Sequence, residues 1–253
     1  MLRARPIHYT SRPDDWGTIL RALGLVKTVD HGEWQEFDAG SGRLALAHVE
    51  HGHPLDGSTL FSVEVGDVDE FVRRTVEAGT RADIHETPDA TTARISADDG
   101  FEFFAFPATR AADGTWATAA VSGAGGALTV VATWISPHVE LSAAVLRGIG
   151  ARPRTEDDES ATFTTKNGGV LRIIHGAEGT SGALAFEYDG GLEPLLDNVT
   201  GAGVEARISE GLLYVANPDA AGGAAPASIV VERLVAERPV VERPVVEKPV
   251  VEG

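Results

Sequence analysis

Two spacings of apolar positions along the chain predict short strands alternating with short helices. In the segment 68–78, four apolar residues recur at helical spacing with charged residues between them, and Gly79 follows as a stop signal. A helix with this pattern covers one face of a sheet. The preceding segment, 59–65, alternates instead with the period of a strand.

The same assignment applied to the first half of the chain predicts one order of elements twice, namely a strand, a helix and three further strands. The first set comprises strand 5–10, helix 14–23 and strands 26–30, 33–38 and 43–49. The second set comprises strand 59–65, helix 68–78 and strands 82–86, 91–96 and 101–106. This βαβββ order also fits the second half, whose clearest elements are strand 128–133, helix 138–148, strand 183–188 and helix 192–201. Residues 217–228 are rich in Gly, Ala and Pro and are predicted to form a loop.

Short segments recur in the same order in the two halves of the chain. Gly24 after the first helix matches Gly150, 126 positions further on, and His48 at the end of a strand matches His175 at a spacing of 127. Matches in one order at nearly one spacing indicate a duplicated chain.

The prediction is therefore an α+β protein built from four βαβββ modules in two tandem domains, with curved mixed sheets and helices on the outer face. The segments are domain 1 at 1–108 with modules 1–52 and 57–108, a linker at 109–126, domain 2 at 127–234 with modules 127–177 and 182–234, and a tail at 235–253. The tail repeats Val-Val-Glu-Arg-Pro, and a proline at every fifth position favours an extended or disordered segment.

Composition narrows the kinds of partner. The formal net charge is −17, from 38 acidic and 21 basic side chains, which argues against binding to nucleic acid or to an anionic membrane. The chain has no cysteine, so disulfides and thiolate ligands are excluded, as is typical of a cytoplasmic protein. No stretch has the roughly 20 apolar residues of a membrane span. We expect a cytoplasmic protein that neither binds nucleic acid nor enters a membrane.

Paired βαβββ modules, a glycine after each first helix and the segment Asp98-Asp99-Gly100-Phe101-Glu102 before a last strand together resemble the vicinal-oxygen-chelate superfamily. That superfamily includes glyoxalase I, bleomycin-resistance proteins and extradiol dioxygenases. The resemblance covers nearly all of the chain up to Arg233. It implies sheets that curl into half-open barrels with the ligand on the concave face, but it does not imply one activity, because the superfamily includes isomerases, dioxygenases and binding proteins.

The resemblance also implies where a metal ion would bind, on the first and last strands of the modules. His8 and His48 lie at such places, but Phe104 stands where the metal-binding Glu of the family falls, and Glu102 lies two residues away on the same strand face. In the second domain Trp134 takes the place of His8. We therefore expect no metal ion and no other cofactor. The alternative is a divalent ion bound by His8, His48 and Glu102.

Strand alternation identifies candidate cavity residues. Ser62 and Glu64 are predicted to face the concave side of the sheet, with Glu187 as the matching carboxylate of the second domain. Glu64 is the candidate general base, and Trp34 and Trp134 are candidates for stacking on a planar ligand. The alternatives are an exposed sheet face for the two glutamates and core packing for the two tryptophans.

Three functions are compatible with these features. The first is a glyoxalase-like or bleomycin-resistance-like protein that binds a small aromatic or apolar molecule without metal. The second is an enzyme, either a metal-dependent lyase, isomerase or dioxygenase that uses His8, His48 and Glu102, or a metal-free lyase that uses Glu64. The third is an interaction protein whose cavity has filled in. Because one chain carries four modules, a monomer is expected, with a homodimer as the alternative.

Overall fold

The computed structural model describes residues 1–87, 90–110, 115–116, 118–222 and 225–234. The predicted tail, 235–253, lies outside the described residues, as do several residues of the predicted linker. We call residues 1–108 the first half and residues 127–234 the second half.

The first half contains ten strands and two helices within the described residues. In chain order they are β1 Leu2–Ala4, β2 Ile7–Thr10, α1 Pro13–Ala22, β3 Val26–Asp30, β4 Trp34–Asp38, β5 Arg43–His48, β6 Thr59–Leu60, β7 Ser62–Val65, α2 Val68–Glu77, β8 Arg81–Glu86, β9 Thr91–Ser96 and β10 Glu102–Pro107.

The second half contains nine strands and two helices, preceded by the short 3₁₀ helix Gly123–Ala127, among the described residues. In chain order they are β11 Leu128–Ser136, α3 Val139–Gly148, β12 Arg152–Glu156, β13 Ser160–Thr164, β14 Val170–His175, β15 Thr180–Ser181, β16 Ala185–Tyr188, α4 Glu193–Gly201, β17 Ala206–Ser209, β18 Leu212–Ala216 and β19 Ser228–Arg233. A second 3₁₀ helix, Pro218–Gly222, lies between the last two strands, inside the segment that the sequence analysis predicts to be a loop.

The strands form three mixed sheets. Two have five strands, in the orders β1-β7-β10-β9-β8 and β3-β4-β5-β2-β6, and the third has the order β12-β13-β14-β11-β16-β19-β18-β17 with β15 paired beside β11. In each sheet the strand before a helix pairs in parallel with a later strand, as β2 does with β5 and β16 with β19. The predicted combination of helices with mixed sheets is confirmed.

The first strand differs between the two halves. In the second half, β11 is continuous and pairs with both β14 and β16. In the first half, Arg5 and Pro6 divide this strand into β1, which pairs with β7, and β2, which pairs with β5. Proline has no N–H for a strand ladder, so a single strand does not continue through Pro6. The predicted strand 5–10 corresponds only to the second of these two strands.

Two hydrophobic cores lie beneath the helices, and each takes side chains from both halves. One surrounds α2 and α3 and includes Phe61 and Phe103 with Trp134 and Phe163. The other surrounds α1 and α4 and includes Trp16, Leu20, Phe37, Phe186, Leu195 and Leu213. Helices α1 and α4 contact each other, as do α2 and α3. The two halves therefore share their cores.

The halves also meet at a junction of backbones that we call the glycine seam, formed by residues 40–42 and 167–169 with β1. Ala4 donates its backbone N–H to Gly168 at 3.0 Å, and Gly169 donates to Ser41 Oγ at 2.8 Å. A Cβ atom on Gly169, which has a φ of +88°, would meet the Cβ of Ala4. Only glycine permits both this backbone conformation and this close approach.

Candidate functional site

Strand β5 shows how the sheet of the first half divides its side chains between two faces. Leu44 and Leu46 pack in the core beneath α1, whereas Ala45 and Ala47 belong to a separate cluster on the opposite face. Ile7 pairs in register with Ala45, and it packs in that second cluster. We call this opposite face the helix-distal face. It corresponds to the face on which the sequence analysis expects a ligand.

Ion pairs occupy much of the helix-distal face. Arg43 Nη2 donates to Asp38 Oδ2 at 3.1 Å and its Nη1 to Glu36 Oε2 at 2.8 Å, while Arg3 Nε donates to Glu64 Oε2 at 2.6 Å. We call this group the ionic cluster; its members, all buried, are Arg3, Arg5, Glu36, Asp38, Arg43 and Glu64. Three guanidinium groups and three carboxylates balance in charge, which offsets the cost of burying them.

Ser62 and Glu64 both belong to this face, and both have protein partners. The two Glu64 oxygens lie 2.6 Å from Arg3 Nε and 3.4 Å from Arg43 Nη1. The hydroxyl of Ser62 donates to the backbone carbonyl of Arg5. Both polar side chains therefore have partners within the protein.

Arg5 is less well compensated than Arg43. Its Nη1 donates to Glu36 Oε1 at 2.9 Å, and its guanidinium carbon lies 4.4 Å from the ring centre of Phe106 and 5.4 Å from that of Trp34. Its Nε and Nη2 are buried and have no hydrogen-bond partner within the described residues. Burial lowers the pKa of Arg5, against the opposing effect of the nearby Glu36.

Trp34 lies at the border of the helix-distal face and is half-buried. Its indole Nε1 donates to Glu36 Oε1 at 3.2 Å, and the partly buried Tyr9, Leu60 and Phe106 pack in the same cluster. The predicted stacking residue of the first half is therefore partly exposed to solvent.

Glu187 has a similar environment in the second half. Arg154 donates from Nη1 and Nη2 to its two oxygens at 2.8 and 2.6 Å, and Arg172 Nη2 donates at 3.1 Å. Burial raises the pKa of Glu187, but the hydrogen bonds and charges of the two arginines outweigh this effect, so its pKa lies below the ordinary value. Glu187 is thus an ionised, paired carboxylate.

His8 faces away from the ionic cluster and lies beneath α1. Its Nε2 lies 2.8 Å from Asp219 Oδ2, and its Nδ1 lies 2.9 Å from Thr59 Oγ1. The same Asp219 carboxylate accepts from Thr10 Oγ1 at 2.8 Å and from Trp16 Nε1 at 2.6 Å. Burial raises the pKa of Asp219, but these three donors outweigh it and lower the pKa below its ordinary value.

A cavity of about 450 Å³ opens beside this histidine, between the two halves of the chain. We call it the interhalf cavity. Its polar wall includes His8, Thr59, Glu102 and Asn217. Its apolar wall includes Leu55, Leu60, Phe101, Leu184, Pro226 and Ile229. The lining from the first half comes from β2, β6 and the turn before β10. The lining from the second half comes from residues 179–184, from Asn217 before the second 3₁₀ helix, and from Pro226 and Ile229 after it.

The three alternative metal ligands are not arranged as a metal site. Both ring nitrogens of His8 have protein partners, His48 is exposed at the end of β5, and the exposed Glu102 accepts from Ser96 Oγ at 2.9 Å. Across the described part of the chain, no three His, Asp or Glu side chains converge to hold an ion. A tightly bound divalent ion requires three or four donors, so this donor set does not fit one.

Trp134 occupies the strand position equivalent to that of His8. It pairs with Ile173 on β14 as His8 pairs with Leu46 on β5. It is fully buried and stacks on Phe101 with ring centres 4.9 Å apart. Its Nε1 has no hydrogen-bond partner among the described residues. The structure therefore places Trp134 in a hydrophobic core.

The sequence patterns did not reveal Thr59, Asp219 or the arginines of the ionic cluster as candidate residues. Asp219 lies 211 positions from His8 in a segment predicted to be a loop, and no periodicity connects the two residues. One signal was available for Thr59, because it begins the predicted strand 59–65, the first strand of its module, just as His8 lies on the first strand of the other module. The structure shows Thr59 directly opposite His8 in an antiparallel pair.

The fold of this chain is similar to that of solved ring-cleaving dioxygenases. Similar solved structures include homoprotocatechuate 2,3-dioxygenase from Arthrobacter globiformis, at 15% identity and a TM-score of 0.56, covering 91% of this chain and 78% of that chain. An extradiol ring-cleaving dioxygenase from B. fuscum matches at 14% identity and a TM-score of 0.56, and the match covers 90% of this chain and 70% of that chain. No protein-family model and no curated protein matches the chain. Identities this low show a shared fold and leave the activity open.

Among the residues described, no helix combines the length and the apolar character needed to cross a bilayer.

Proposed function

We propose that the protein binds a compact, largely apolar small molecule in the interhalf cavity and needs no metal ion to do so. The cavity is the observation that carries this proposal. Its volume of about 450 Å³ falls within the range of roughly 300–1,000 Å³ for small-molecule sites. Apolar walls with a few buried polar groups are the usual composition of such sites.

The interhalf cavity is a better candidate than the helix-distal face. A ligand at Glu64 or Glu187 would have to displace arginines that already neutralise these carboxylates, and leaving a buried charge unpaired costs several kcal/mol. We therefore assign Ser62, Glu64 and Glu187 to stabilising the sheets. Trp34 stays a candidate for a weaker contact at the border of that face.

The proposal includes the organisation of the chain. We propose that 1–108 and 127–234 are tandem domains of a vicinal-oxygen-chelate protein, and that one chain forms the complete site because both halves supply its walls.

The alternative of a metal enzyme using His8, His48 and Glu102 has weaker support. His8 and Glu102 already have protein partners, and the three side chains do not converge on one point among the described residues.

Binding of the neutral fluorophore N-phenyl-1-naphthylamine to the full-length protein tests this proposal. The variant Ala183→Trp places a large ring at an exposed position of the cavity wall and is expected to abolish binding. Ala202→Trp makes the same substitution at an exposed position after α4 and is the matched control, which should bind as the wild type does. Treatment with EDTA should leave binding unchanged.

Equal binding by the wild type and Ala183→Trp would refute the assignment of the cavity. Binding that disappears with EDTA and returns with a divalent ion would refute the metal-free proposal. Thermal unfolding of both variants without the fluorophore checks that each is folded. With the fluorophore, the melting temperature of the wild type should rise, because a ligand that binds only the native state stabilises it.

A further inference from the structure

We propose that the interhalf cavity is also an acyl-transfer site, in which Thr59 is the nucleophile, His8 is the general base and Asp219 orients His8. The substrate class is a small, uncharged carboxylic ester with an apolar acyl group. This inference rests on the proposed function for the location of the substrate, and it adds a reaction at that location.

Local pairing explains why the nucleophile and the base meet. Thr59 on β6 lies directly opposite His8 on β2 in an antiparallel pair, which brings their side chains together on one face of the sheet. Thr59 Oγ1 lies 2.9 Å from His8 Nδ1, within reach for a proton transfer. Both residues line the cavity.

The partner on the other side of the ring determines which nitrogen is basic. Asp219 Oδ2 lies 2.8 Å from His8 Nε2, and two other donors, Thr10 and Trp16, also point at this carboxylate. An ionised carboxylate only accepts hydrogen bonds, so the neutral imidazole carries its proton on Nε2. The lone pair on Nδ1 then accepts the hydroxyl proton of Thr59.

A nucleophile, a base and a group that orients the base form the general pattern of activated hydroxyl catalysis. In the first step, Thr59 Oγ1 bonds to the ester carbonyl carbon while its proton moves to His8 Nδ1. The bond between the carbonyl carbon and the leaving oxygen then breaks, and the alcohol leaves with that proton. Water attacks the acyl-Thr59 ester and gives a proton to His8, and Thr59 recovers it as the carboxylic acid departs.

The surroundings favour an uncharged ester. Leu55, Leu60, Leu184 and Ile229 form an apolar wall, which suits an alkyl acyl chain. The formal net charge of −17 and the presence of Glu102 in the cavity wall disfavour an anionic substrate.

Hydrolysis of p-nitrophenyl butyrate by the full-length protein tests the proposal. Thr59→Val keeps the shape of the side chain but removes the hydroxyl, and turnover is expected to fall to the background rate. Thr59→Ser keeps a hydroxyl and should stay within about tenfold of the wild type, while Asp219→Asn should be slower by about 10²–10⁴-fold. Thr91→Val, which removes a hydroxyl at an exposed position of β9 outside the cavity wall, is the control and should keep wild-type turnover.

Covalent labelling distinguishes a nucleophile from a structural hydroxyl. Paraoxon should phosphorylate Thr59 with release of p-nitrophenol, and peptide mass spectrometry should locate the added diethylphosphoryl group on that residue. Three results would overturn the proposal. Paraoxon could label a different residue, Thr59→Val could hydrolyse the ester as fast as the wild type does, or the wild type could hydrolyse it no faster than the background rate.

The two proposals fail in different ways. If Thr59→Val still binds N-phenyl-1-naphthylamine and the wild type hydrolyses no ester, the binding function stands and the acyl-transfer activity is refuted. If Ala183→Trp leaves fluorophore binding unchanged, the cavity itself is refuted as the ligand site.

Discussion

Replacing Arg43 with methionine would leave three buried carboxylates without their shared cation. Arg43 is fully buried and donates to Asp38 through two atoms and to Glu36 through a third, with Glu64 at 3.4 Å. Breaking a buried ion pair by removing one partner costs about 3–5 kcal/mol. For a chain of this length each kcal/mol lowers Tm by roughly 2–4 °C, so a loss of roughly 6–20 °C is expected.

Urea unfolding followed by tryptophan fluorescence measures the free energy of unfolding of the wild type and of Arg43→Met directly.

Arg5→Met is the matched control within the same ionic cluster. Arg5 has one carboxylate partner, Glu36, which also keeps its contact with Arg43, and two of its nitrogens have no hydrogen-bond partner among the described residues. Arg5→Met therefore leaves no carboxylate of the cluster without a cation, and we expect a smaller loss of stability than in Arg43→Met. Equal losses in the two variants, or a loss below about 1 kcal/mol in Arg43→Met, would refute this reasoning.

Three further outcomes follow from the structure. Gly169→Ala should destabilise the protein by about 1–3 kcal/mol more than Gly203→Ala in urea unfolding, because both glycines have positive φ but only Gly169 lies against another backbone. Trp16→Phe should cost about 1–3 kcal/mol more than Trp134→Phe, since the two variants lose similar volume but only the first leaves a carboxylate short of a donor. The pKa of Asp219 is lowered on folding, so its contribution to the free energy of unfolding is complete above the unfolded pKa of about 3.9. That contribution is lost as pH falls through the lower folded pKa. The difference in free energy of unfolding between the wild type and Asp219→Asn should therefore shrink over that range.

The alternation of side chains along strands was readable from the sequence because it depends only on local geometry. Ser62 and Glu64 face one side of β7, and Phe61 and Val63 pack in a core on the other, as the alternating pattern predicts. What fills the space opposite Glu64 depends on Arg3, which belongs to a strand that the pattern did not predict. The orientation of the carboxylate was therefore predictable, but its ion pairing was not.

The position of His8 shows the same limit. Its place on the first strand was predicted, but whether it faces a helix or the opposite side depends on where Pro6 interrupts the strand. Its partner Asp219 lies in a 3₁₀ helix within a stretch of Gly, Ala and Pro, whose composition predicts no regular element. Contacts over such separations come from tertiary packing, which local patterns do not contain.

The shared cores have a consequence for how the two halves can vary. Each half alone would expose one wall of each core. In a symmetric pair of identical chains, one mutation changes both copies of a position together. Within one chain the two positions change independently, so a histidine in one half can stand where the other half has a tryptophan, as His8 and Trp134 do.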